Sequence, residues 1–162
     1  MNKELTKDIV LEFLQPLATS IELFVVDVSL KGTMKHRILG VYIDKPNGIS
    51  IEDCSTLQRL IDEHFENFEL SSSISSIEVS SPGFDKPLMY DWQLSNHITR
   101  VCLINVDSQE VKGRIFSTGE NGEFTVEIQL PYRKGVKKTS ELEKKSFQFS
   151  EIQSITIIPE IR

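Results

Sequence analysis

The sequence predicts an α+β chain: an N-terminal domain of helices on a small sheet over residues 1–85, then a small β-barrel over residues 86–162. Three observations carry that reading. Two helical stripes and three alternating apolar runs, in the order α-β-β-α-β, fill the first half. Five short alternating runs separated by turn residues crowd into about 60 residues of the second. Charge divides at the same place: residues 1–85 hold 7 Lys/Arg against 14 Asp/Glu, a net of −7, and residues 86–162 hold 11 against 10, a net of +1.

In the first half, Leu5, Ile9, Phe13 and Leu17 recur every four residues, with Leu14 widening the stripe. This predicts a helix over 3–18 that Pro16 ends or kinks. In "IELFVVDVSL" the set Phe24, Val26, Val28, Leu30 is wholly apolar, which predicts a strand with that face buried. Lys31-Gly32-Thr33 turns the chain into "HRILGVYIDKP", giving an antiparallel hairpin. Pro46-Asn47-Gly48 is a turn, and Ser50 with Asp53 forms a capping box that opens a second helix. Cys54, Leu57, Ile61, Phe65 and Phe68 share one face of that helix, and carboxylates populate the rest. A third strand follows, with Ile77 and Val79 inward.

The second half opens with a helical turn near Met89–Leu94. The strands "RVCLIN", "EVKGRIFST", "EFTVEIQL", "SFQFS" and "SITIIP" come next, with turns at "DSQ" and "GENG". Gly113 inside a strand suggests the bend or bulge that lets a small barrel close. The stretch "PYRKGVKKTSELEKKS" has six Lys/Arg against two Glu. It reads either as a solvated loop or as a mobile basic arm for RNA phosphate, in which Arg133, Lys134, Lys137 and Lys138 would act with Lys112 and Arg114 of the barrel.

The N-terminus "MNKELTKDIV" has no apolar signal core, and no apolar run approaches the roughly 20 residues of a membrane span. A cytoplasmic protein is therefore expected. Cys54 and Cys102, without a C-x-x-C spacing, read as buried thiols of a reducing compartment. His36, His64 and His97 lie on separate elements, and "SSPG" lacks the G-x-S-x-G elbow, so a serine nucleophile has no base in view. "DEHFE" spreads its acids and histidine around a helix, and no pair of His or Cys has ligand spacing. Neither phosphate-binding glycine motif occurs. The expectation is a binding protein, not an enzyme, with no metal or other cofactor and no small-molecule substrate. Its acidic first half serves solubility or meets a basic partner.

The stretch "IEVSSPGFDKPL", Ile77 to Leu88, runs from a strand into a joint. Pro82-Gly83 suits the centre of a type II turn, and Pro87 keeps Lys86 extended, so a short stiff connector between the two domains is expected. This block resembles the signature of the bacterial ribosome maturation factor RimP family. "LFVVDVSLKG", "VYIDKPNGISIEDCSTLQRLID" and "FSEIQSITIIPEI" follow in the family's order, so the resemblance spans essentially the whole chain. Ser80, Ser81, Pro82, Gly83, Asp85 and Pro87 match the motif. Lys86 stands where the family more often has arginine, which keeps the charge but loses the planar fork.

The resemblance implies that the barrel is SH3-like (Sm-like). It implies a non-catalytic cytoplasmic factor that binds the small (30S) ribosomal subunit and assists its late assembly. The implied partners are 16S rRNA and a basic small-subunit protein, with no membrane. A monomer is expected on that reading. The alternative is a free-standing Sm-like RNA-binding module, which would self-assemble through its strand edges. A hydrolase using Ser81 is the third and least supported reading.

Overall fold

A computed structural model describes residues 4–83, 86–128 and 143–159. The chain divides into two compact units, Met1–Pro82 and Gly83–Arg162.

The first unit begins with helix α1, Lys7–Ser20, whose N-cap Thr6 accepts a hydrogen bond from the Ile9 amide. The helix starts later than its apolar stripe suggests and runs through Pro16 to Ser20. Pro16 deletes one backbone donor, but Leu14 and Ala18 on either side are fully buried and hold the last turn in place. The innermost residues are Val10, Leu14 and Ala18. Ile9, Phe13 and Leu17 flank them half-buried, so the core line lies one residue round from the expected stripe.

Strand β1, Phe24–Thr33, pairs antiparallel with β2, His36–Asp44. The strict alternation expected of β1 fails because of a bulge: Val25 faces Ile43 and Asp27 faces Tyr42, leaving Val26 as the extra residue. The bulge switches parity. Leu23 and Val25 enter the core before it and Val28 after it, while Phe24 is left partly exposed. The hairpin also runs on through Gly32 and Thr33 before it turns. In β2 the expected inward set Leu39, Val41, Ile43 is buried.

Helix α2, Ile51–His64, starts at the capping box as read. Ser50 Oγ accepts from the Asp53 amide at 3.1 Å, and Asp53 Oδ2 accepts from the Ser50 amide at 2.8 Å. The helix carries the chain back so that β3, Ser76–Ser80, lies parallel to β2. The sheet order is β1-β2-β3. Leu57 and Ile61 of α2 join Val10, Leu14 and Ala18 of α1 in one core with the inward residues of the sheet. Ser29 and Tyr42 share a hydroxyl contact of 3.2 Å beside Gly40, whose missing Cβ makes room for both side chains.

The second unit opens with a 3-10 helix, Asp91–His97, in place of the single turn expected. Strands β4 (Val101–Val106), β5 (Gln109–Thr118), β6 (Glu123–Ile128), β7 (Glu143–Gln148) and β8 (Ser154–Ile157) then form one antiparallel sheet in the order β7-β6-β5-β4-β8. Asp107 and Ser108, both at positive φ, make the two-residue turn between β4 and β5. A 3-10 turn, Phe149–Glu151, joins β7 to β8. Leu94, Cys102, Ile104, Ile115, Phe124, Val126, Phe147, Ile155 and Ile157 form the core.

Three expectations change here. β7 and β8 stand at opposite edges and no pairing joins them, so the sheet is open among the described residues and not a closed barrel. Gly113 is not the bulge: it faces Cys102 on one side and Ile128 on the other in regular register, while the irregularity falls between Ile115 and Ser117, at Phe116. Gly113 is needed because a Cβ there would come within 2.4 Å of Val126 Cγ1 and 2.6 Å of the Glu127 carbonyl oxygen. Finally, the C-terminal part of the basic stretch, Glu143 to Ser146, is strand and not loop, held by β6 pairing from Ile128 to Thr125.

Candidate RNA and partner interface

The serine-rich stretch is tied down at both ends. Ser80 closes β3 opposite Tyr42, and the strand stops before Pro82, which has no amide hydrogen to offer a neighbour. Seven residues on, Pro87 bridges Thr156 and the Leu88 amide donates to the Ile155 carbonyl at 2.8 Å, so this end is held by β8. Ser81 and Gly83 are exposed and Pro82 and Lys86 are half-buried. Phe84 and Asp85 lie outside the described residues, and with them the type II turn centred on Pro82-Gly83.

Sequence reasoning missed a third tie. Gln93 is buried, and its Oε1 accepts from the amides of Met89 and Tyr90 at 2.7 and 2.9 Å. One side chain thereby satisfies two backbone donors just past the motif. A lone glutamine in a polar stretch gives no sequence signal of this.

The two cations singled out on β5 sit where alternation puts them, on the side opposite buried Gly113 and Ile115. Lys112 is exposed. The Arg114 guanidinium donates to the Thr99 carbonyl at 2.6 Å, which fixes its direction. Across β6, Arg114 and Lys144 both stand opposite Glu127. Arg133, Lys134, Lys137 and Lys138 lie outside the described residues.

The first unit presents the opposite charge. Glu52, Asp62, Glu63, Glu66 and Glu69, on α2 and just after it, are exposed, as are Asp8 and Glu12 on α1. Asp53 is held below its ordinary carboxylate value, first by the Ser50 amide and then by the Lys45 side chain, whose ammonium lies 3.0 Å away.

Both cysteine thiols are shifted away from the reactive thiolate. Burial pushes the Cys102 thiol up to about 12. Cys54 is also raised, mainly by burial and then by the neighbouring Asp53 charge. His36 opens β2, His64 closes α2 and His97 ends the 3-10 helix of the other unit. Among the described residues no group of three or more His, Cys, Asp or Glu is placed to hold a metal ion. No helix among them is long and apolar enough to cross a membrane.

The described residues thus form a two-unit α+β protein, with one acidic unit and one that carries cations on a sheet face. Comparison with known proteins narrows this. A family model described as the RimP N-terminal domain matches residues 13–85. The ribosome maturation factor RimP of Cytophaga hutchinsonii is 31% identical over 144 residues, covering 85% of this chain and 86% of the relative. The chain belongs to the ribosome maturation factor RimP family.

Proposed function

We propose that this protein is a non-catalytic, cytoplasmic assembly factor that docks as a monomer on the small (30S) ribosomal subunit and assists its late maturation. The observation that carries the reading is the match to a ribosome maturation factor along 85% of the chain. The charge division supports it: an acidic unit suits a basic small-subunit protein, and a sheet bearing Lys112 and Arg114 suits 16S rRNA. On this reading the domains run 1–85 and 86–162, and the second is of the SH3-like type, with its sheet open among the described residues. Arg133, Lys134, Lys137 and Lys138 add phosphate contacts, while Ser80, Ser81, Pro82, Gly83, Asp85, Lys86 and Pro87 form a ribosome-docking element on the connector.

Sedimentation of extracts from cells lacking the chain tests the proposal. Free small subunits should accumulate, and the purified protein should co-sediment with them and not with mature 70S particles. Normal subunit ratios together with no co-sedimentation would sink it. The alternative, a self-assembling Sm-like RNA module, predicts a ring-sized species on size exclusion, whereas the assembly-factor reading expects a monomer.

A further inference from the structure

We infer that the outer face of the second unit's sheet, centred on Phe116, binds single-stranded RNA by stacking an unpaired base on that ring. This rests on the small-subunit reading above and names the kind of RNA the surface takes.

The starting point is an apolar side chain in an unusual place. Phe116 is 47% exposed and belongs to no core cluster, although its neighbour Ile115 is fully buried. The bulge explains this locally. Ile115 faces Val126 and Ser117 faces Thr125, so Phe116 is the extra residue with no partner on β6. A strand surface facing only water would accept a threonine or lysine here equally well, and an aromatic ring left in solvent contributes little to folding.

What surrounds the ring decides the ligand. The Lys144 ammonium stands 3.8 Å from the ring centroid, reaching across from β7. Lys144 and Arg114 flank Glu127 from the two neighbouring strands, and the Arg114 guanidinium is held by Thr99. In the next row the Thr125 and Ser146 hydroxyls lie 3.1 Å apart, and Lys112 extends the cationic edge along β5. An aromatic ring bordered by cations and hydroxyls is the combination that receives an unstacked base and its phosphates. An arriving base takes the place of the Lys144 ammonium over the ring, and the released ammonium can then meet the adjacent phosphate. Glu127 between the two cations weakens any long phosphate track. The face therefore favours an exposed base with one or two phosphates over a duplex, whose bases are already stacked on one another.

The test uses the full chain, a short unstructured RNA oligonucleotide and a duplex of the same composition, with fluorescence anisotropy at low salt. Phe116→Leu keeps apolar bulk but loses the π-face, and should weaken single-strand binding about tenfold while leaving duplex binding unchanged. Phe116→Trp should bind at least as well as wild type. Lys144→Gln should flatten the salt dependence by about 0.7 in log–log slope. The inference fails if Phe116→Leu, shown folded by its circular dichroism, binds the single strand like wild type, if it loses both RNAs equally, or if the wild-type chain binds neither. Co-sedimentation keeps the two proposals apart. A wild-type chain that reaches the small subunit, with Phe116→Leu behaving identically in both assays, overturns the stack and leaves the assembly role standing.

Discussion

In the first unit two helices cover one face of a three-stranded sheet, whereas in the second five strands gather around a core closed by a seven-residue 3-10 helix and a short turn. Their glycines show what the difference means. Gly40 faces Ser29 Oγ at 2.5 Å and Tyr42 Oη at 3.1 Å from where a Cβ would sit, and both are ends of side chains that can turn away. Gly113 faces Val126 and the Glu127 carbonyl, a neighbouring strand's own backbone. At Gly40 the neighbouring side chains can rotate aside, whereas at Gly113 the neighbour is main chain, and an added methyl there must move it.

Mutations sharpen this contrast, and the largest effect should come from the middle of the second core. Phe124, buried and stacked at 5.6 Å on Phe147, should cost about 4 kcal/mol when changed to alanine, read from denaturant unfolding of the chain. Gly113→Ala should cost about 3 kcal/mol and Gly40→Ala about 1 kcal/mol in the same assay. Equal losses at the two glycines would erase the distinction between the units.

Ser50→Ala should remove the reciprocal cap of α2 at about 1 kcal/mol, seen as faster hydrogen exchange in the first turn of that helix. The cap also gives the first unit an acid limit. Because the folded state holds Asp53 below its ordinary value of 3.8, its contribution is complete above that pH and fades as pH falls through the lower folded value. Asp53→Asn should flatten that part of a stability–pH curve without altering the neutral-pH alkylation of Cys102.

The smallest effect is kinetic. At pH 8, Cys102, pushed up to about 12, should resist iodoacetamide until the second unit opens, while half-buried Cys54 should react first. Equal rates measured by mass spectrometry would mean that the second core breathes as readily as the first.

How far the residues speak for themselves depends on the range of the interaction. Local spacing carries the capping box of Ser50 and Asp53, the inward set Leu39, Val41, Ile43, and the outward placement of Lys112 and Arg114. Each needs only neighbours along the chain and the period of its element. The bulge at Val26 is invisible to alternation, because Phe24, Val25 and Val26 are all apolar and only pairing against Ile43 and Tyr42 selects which of them turn inward. Phe116 escapes notice for the same reason: its exposure depends on a register slip against Val126 and Thr125, while Gly113, which looks like the irregular residue, stays in step.

By itself, then, the amino-acid order determined the α-β-β-α-β plan, the division into an acidic and a near-neutral half and the family to which the protein belongs, since these reside in periodicity, composition and a short motif. Only the tertiary structure decided which glycine is pressed against a neighbouring strand, that Gln93 turns inward to hold two amides, and that Lys144 reaches across to cover Phe116. Those choices are set by contacts between residues far apart in the chain, whose geometry exists only once the strands have paired.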